Sequence, residues 1–94
     1  PALQAVKRDF AFLVPLEVPA GDLVRLVQGA DKANIVAARL FDDFRGQGVP
    51  EGQKSLALEV TLQPLEKSYK DEDLKAVTEK VKAAAAKLGA VLRG

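Results

Sequence analysis

The chain has 94 residues, formal net charge +1, 48% hydrophobic and 29% charged residues, and neither cysteine nor histidine. That length makes one domain, able to bury roughly 60 to 65 per cent of its unfolded surface in a single two-layer core, and no apolar run approaches the ~20 residues of a membrane span. Without cysteine and histidine there is no thiol nucleophile, no thiolate zinc site, no disulfide and no Ser-His-Asp engine, and the near-neutral charge advertises no polyanion partner unless a local patch supplies it.

Residues 9–14, "DFAFLV", alternate as a strand, with Phe10, Phe12 and Val14 on one face and Asp9, Ala11 and Leu13 on the other; Pro15 closes it. Leu23, Leu26, Val27 and Ala30 then recur at helical spacing, with Pro19 near the start of that helix and Gly29 near its end. "NIVAARLFDDF", 34–44, is rich in β-branched and aromatic residues and reads as a long second strand. In residues 55–63, Leu56, Leu58, Val60 and Leu62 oppose Ser55, Ala57, Glu59, Thr61 and Gln63, the alternation of a strand with one face on a core. From Asp71 the stripe Leu74, Val77, Val81, Ala84, Ala85 and Leu88 predicts a long helix, acidic in its first turn and stopped by Gly89. "AVLR", 90–93, supplies a last short strand with Ala90 and Leu92 inward.

The order β-α-β-β-α-β predicts an α+β, ferredoxin-like fold: a four-stranded antiparallel sheet with both helices on one face. The other face is then open, and on it fall Asp9, Ala11, Ser55, Ala57, Glu59, Thr61 and Arg93, a shallow, wettable platform. The second strand resists strict alternation, which would group the core set Val36, Ala38 and Leu40 with Asp42 and Phe44. One bulge near Leu40 or Phe41 would keep Leu40 buried and turn Asp42 and Phe44 to the open face.

Several motifs nearly fit. "GQGVPEGQKS" fails as a phosphate loop because Gln53 separates Gly52 from Lys54 and because Ser55 opens a strand where a phosphate loop opens a helix. The dinucleotide fingerprint fails at Glu51. "RGQGV" resembles the phosphate cradle of acylphosphatases, which follows the first strand of that family, whereas here it joins strands two and three. Asp42 and Asp43 are strand neighbours that point apart, so they make a poor magnesium chelate, and Asp71, Glu72 and Asp73 answer a helix dipole.

Taken together, "KRDFAFLV", "LFDDFRGQGVPEGQKSLALEVTL", "KDEDL" and the closing "GAVLRG" resemble, in order and spacing, the C-terminal ferredoxin-fold anticodon-binding domain of the bacterial phenylalanyl-tRNA synthetase β subunit, from about Val6 to Gly94. The central motif, F-D-x-[YF]-x-G followed by P-E-G-x-K-S-L, is its specific part. The resemblance implies an RNA-binding module of residues 1–94, the C-terminal segment of a longer cytoplasmic chain; the opening on Pro1 without any methionine is compatible with an excised piece. It implies that the open face meets the anticodon stem-loop of phenylalanine tRNA. Other domains of the β subunit and the catalytic α subunit become the protein partners, with ATP and magnesium used by the parent ligase and neither cofactor nor catalysis in this domain.

Carried over by position, the RNA-binding candidates are Asp42, Phe44, Ser55 and Arg93, with the pair Arg8 and Asp9. Ala11, Arg45 and Lys54 join them from the platform and its rim. Phe44 offers a stacking plane, Asp42 accepts from a base edge, Ser55 donates or accepts, and Arg93, Arg8, Arg45 and Lys54 neutralise phosphate or stack. The sequence departs from the family at Phe44, where tyrosine is usual, at Tyr69, where leucine is usual, and at Lys70, where threonine usually caps the long helix; Asp71 or Ser68 is the expected substitute cap. A protein-interaction or small-ligand regulatory domain of the same fold is the competing reading, and an acyl-phosphate hydrolase a more distant one.

Overall fold

A computed structural model describes residues 3–93. Strand β1 runs Val6–Pro15, helix α1 Ala20–Gln28, strand β2 Ile35–Phe44, strand β3 Gln53–Leu62, helix α2 Asp71–Ala86 and strand β4 Val91–Leu92. The strands form one sheet in the order β2-β3-β1-β4, every neighbouring pair antiparallel, as the element order predicts. β1 and β3 pair without interruption from Val6↔Leu62 to Pro15↔Gln53, so both strands exceed their alternating centres, β1 by three residues before Asp9 and β3 by two before Ser55.

One face of this sheet is the core. Phe12, Val14, Leu56, Leu58 and Val60 are fully buried there, and Leu23 and Val27 from α1 and Val77, Val81 and Ala85 from α2 close over them. Each buried Phe, Leu and Val side chain contributes about 1.5–3 kcal/mol by leaving water, so the alternation of β1 and β3 is enforced by burial on one side only. Leu26 and Leu88 are half-buried at the margin of the helix layer.

α1 starts after Pro19, whose φ of −65° suits the position, and ends at Gly29, whose N–H bonds back to the Arg25 carbonyl. Its last predicted residue, Ala30, lies outside the helix but still packs on the core. α2 corrects the capping expectation. Neither Asp71 nor Ser68 caps it: Lys70 is the N-cap residue, and its backbone N–H donates to the Asp73 carboxylate at 2.8 Å. A lysine side chain has no acceptor to offer, so the third residue of the helix reaches back instead. Gly89, at φ +74°, turns the chain from α2 into β4.

β2 carries the bulge that its sequence requires. Leu40 pairs with Leu58 and Asp42 with Ala57, leaving Phe41 as the extra residue. A second shift, between Ile35 and Ala37, was not expected; it expels Val36 to 57% exposure and gives the core position to Ile35, 5% exposed. Val36 is therefore no part of the core set in which alternation places it. The loop 45–52 joins β2 to β3, and its final turn is closed by Gln53 N–H to Pro50 C=O at 3.1 Å with Gly52 at φ +83°, the geometry of a type II turn. No residue side chain crowds Gly52, so glycine is needed there for its backbone angle.

Candidate nucleic-acid interface

Residues directly opposite in antiparallel strands project to the same side, which makes the register a map of the open face. Nearest the 45–52 loop, Phe44, Ser55, Leu13 and Val91 form one row across the four strands. Asp42, Ala57 and Ala11 form the next, extended by Arg93, whose N–H donates to the Ala11 carbonyl at 2.7 Å. Arg39, Glu59 and Asp9 make a third row, and Ala37, Thr61 and Lys7 a fourth.

The second row explains the first. Ala11 and Ala57 leave a shallow trough, and the Arg93 side chain crosses it to donate from Nη1 to Ser55 Oγ at 3.1 Å. Ser55 is thereby only 9% exposed, with its oxygen engaged as an acceptor and its O–H left to donate. Beside it Phe44 keeps 46% exposure, an aromatic plane that the core does not use. Asp42 stands exposed in the adjacent row, two residues back on the same strand. The bulge at Phe41 brings these groups together: without it Asp42 and Phe44 would share the face of Leu40.

Glu59 organises the third row. Its Oε1 lies 3.2 Å from Arg39 Nε and 3.9 Å from Lys7 Nζ, which offsets the repulsion expected from Asp9 directly opposite. Three cations on this face, Lys7, Arg39 and Arg93, meet three carboxylates, Asp9, Asp42 and Glu59. The platform is thus polar without a net positive field, suited to reading base edges more than to gripping phosphate by bulk charge.

Six of the nine sequence candidates gather here: Asp9, Ala11, Asp42, Phe44, Ser55 and Arg93. The other three do not. Arg8 pairs with Val60, which places it on the helix side of β1, exposed along the edge beyond the two-residue β4, with Nη1 on the Lys7 carbonyl at 3.3 Å. Lys54 pairs with Val14 and is 4% exposed, so the parity that sends Ser55 to the platform sends Lys54 to the opposite side. Arg45 sits at the rim and is committed to Asp43, with Nε and Nη2 each 3.2 Å from a carboxylate oxygen. That hydrogen-bonded guanidinium holds the Asp43 carboxyl below its ordinary pKa.

Sequence reasoning omitted Arg39 and Lys7 from the candidates. Both obey simple alternation: extending the β1 pattern outward by two residues from Asp9 finds Lys7, and Arg39 lies inside the 34–44 strand, opposite in parity to Ala38 and Leu40. It also missed a polar chain on the far side of the fold, where Tyr69 Oη donates to Asn34 Oδ1 at 2.9 Å, Asn34 Nδ2 donates to Asp31 Oδ2 at 2.9 Å, and Lys80 lies 3.6 Å from the same oxygen. These residues line a pocket of about 320 Å³ with Pro64, Leu65 and Val77. Desolvation, then the negative charges of Asp31 and Asp73, pushes the Tyr69 hydroxyl above its ordinary pKa. No helix among the described residues is long and apolar enough to cross a membrane.

The chain is 73% identical over 93 residues to the phenylalanine–tRNA ligase beta subunit of Novosphingobium aromaticivorans and 58% identical over 91 residues to that of Zymomonas mobilis subsp. mobilis. It is 47% identical over 93 residues to that of Bradyrhizobium diazoefficiens. The matches take in 99%, 97% and 98% of this chain, which spans only 12% of the length of each relative. A family model described as the ferredoxin-fold anticodon binding domain matches residues 1–93. With the β2-β3-β1-β4 sheet and its uncovered polar face, this match establishes that the chain belongs to the ferredoxin-fold anticodon-binding domain family.

Proposed function

We propose that this domain recognises the anticodon stem-loop of phenylalanine tRNA through its open sheet face, as the C-terminal tRNA-binding segment of a phenylalanine–tRNA ligase β subunit working in the cytoplasm. The observation that carries the reading is the convergence of Phe44, Ser55, Asp42 and Arg93 over a floor of two alanines. An unpaired base stacks on the Phe44 ring, while the Asp42 carboxylate accepts from an amino or imino group on its edge. Ser55 donates its remaining O–H, and Arg93, already oriented by Ser55, faces a phosphate or a second base edge. Phenylalanine in place of the family's tyrosine keeps the stacking plane and gives up one hydroxyl.

The ligase chemistry, with its ATP and magnesium, belongs in this reading to the rest of the parent protein and its catalytic α subunit. The balanced charge of the platform gives the domain alone a modest affinity, made useful by tethering to other tRNA contacts. Titration with a phenylalanine-tRNA anticodon hairpin, a hairpin of changed anticodon, and a Phe44→Ala variant tests it. Preferential binding of the cognate loop, weakened about 1–3 kcal/mol in Phe44→Ala, is expected. Equal binding of both loops by both proteins refutes base reading.

A further inference from the structure

The free edge of the sheet carries an aromatic side chain that this reading leaves unused. β2 pairs with β3 alone, and its register shift at Phe41 releases that residue from cross-strand pairing. The ring is 46% exposed, as much as that of Phe44. The guanidinium carbon of Arg39 lies over it, 6.0 Å from the ring centre. Arg39 is itself tethered, its Nε 3.2 Å from Glu59 Oε1, an oxygen also within 3.9 Å of the Lys7 ammonium.

Aromatic rings and guanidinium planes are the two protein surfaces on which unpaired bases stack. Atoms in contact stand about 3.5–4.0 Å apart, so a flat base gripped on both sides needs roughly 7 Å between ring and guanidinium. The present 6.0 Å falls about 1 Å short. Arg39, with 66% of its side chain in solvent, can supply that opening by a small torsional adjustment. Resting on the anticodon reading, we propose that Arg39 and Phe41 form a clamp for a second unpaired nucleobase of the same loop, distinct from the base on Phe44.

Spacing separates the two sites. At about 3.3 Å of rise per residue, Phe41 and Phe44 stand roughly 10 Å apart along β2. Stacked nucleotides advance about 3.4 Å each along a strand, so an RNA strand laid beside β2 presents different bases to the two rings. Charge separates their chemistry. Glu59 offsets the Arg39 charge, so the clamp acts through its flat surface and adds little phosphate neutralisation; Glu59 is a positioning residue that keeps the guanidinium above the ring.

The test uses the 94-residue chain and anticodon hairpins carrying 2-aminopurine at each unpaired loop position in turn, whose fluorescence is quenched by stacking. Phe44→Ala is expected to restore fluorescence at one position, and Phe41→Ala, Phe41→Leu and Arg39→Lys at another. Phe41→Ala should weaken binding about 5- to 150-fold, the equivalent of one stacked base. Arg39→Lys, which keeps the charge and removes the plane, should weaken it with the salt dependence unchanged. If the Phe41 and Arg39 variants quench every position as the parent does while Phe44→Ala does not, the clamp is wrong and the anticodon reading stands. If all the variants affect one and the same position, there is no second base. An unsubstituted chain that quenches none at concentrations where the titration shows the hairpin bound overturns both.

Discussion

Replacing Lys54 with alanine should weaken the fold and leave RNA binding alone. Lys54 stands opposite Val14 on the helix side of the sheet, 4% exposed, and its carbon stem is packed as a core residue would be. Alanine deletes three methylenes, about 2.4 kcal/mol at ~0.8 each. No buried side-chain nitrogen among the described residues lacks a hydrogen-bond partner, so the ammonium adds no unpaired burial cost, and partial burial of the stem in the unfolded chain trims the net loss to about 1–2 kcal/mol. For a domain of this size, at about 4–8 °C per kcal/mol, the melting temperature should fall by roughly 5–15 °C. Lys54→Met keeps the stem and should stay within about 1 kcal/mol of the parent. Thermal and urea melts of the three proteins, alongside anticodon-hairpin titrations, measure both quantities. An alanine variant that melts with the parent yet binds the hairpin more weakly would falsify the parity reasoning and return Lys54 to the RNA.

Three further outcomes are expected. Arg93→Ala should reduce the slope of log affinity against log salt by about one phosphate contact and, because Ser55 loses its donor, Ser55→Ala in that background should cost less than it does alone. The chain has one tyrosine and no tryptophan, so absorbance at 295 nm reports Tyr69 directly. Its midpoint should lie above the ordinary tyrosine value and move down in Asp31→Asn; the matching stability is present below the unfolded pKa and lost as pH rises through the folded one. Asp43, held low by Arg45, should titrate closer to an ordinary carboxylate in Arg45→Ala when its carboxyl carbon is followed by NMR. The stability it supplies is present above the unfolded pKa and fades as pH falls through the depressed one, a small effect for so exposed a pair.

The fold was legible because burial imposes a period. Phe10, Phe12 and Val14 in β1 and Leu56, Leu58, Val60 and Leu62 in β3 alternate against one helix layer, and no other register buries them. The bulge at Phe41 was legible for the same reason, since Asp42 could not share a face with Leu40. Val36 was misread because an edge strand can expel a β-branched residue into water once Ile35 fills the core in its place. Lys54 and Arg8 were misplaced by weighting charge over parity: a lysine at a strand end can bury its stem, and an arginine beyond a two-residue neighbour can reach solvent from either side. The Tyr69–Asn34–Asp31 chain joins Tyr69 to a local Asn34–Asp31 pair 35 residues upstream with no shared motif, and only the tertiary fold brings Tyr69 to it.

The two register shifts in β2 also bear on solubility. A ten-residue strand at the margin of a sheet offers a row of unpaired N–H and C=O groups on which another copy of the chain could dock, growing into a continuous sheet. Each shift breaks the even spacing that such docking needs. At the far margin β4 covers only Phe12 and Leu13, and the part of β1 beyond it carries the charged side chains of Lys7, Arg8 and Asp9, which disfavour pairing with another strand. The bulge that aims Asp42 and Phe44 therefore also lets β2 expose aromatic rings without offering an evenly spaced edge to a second copy.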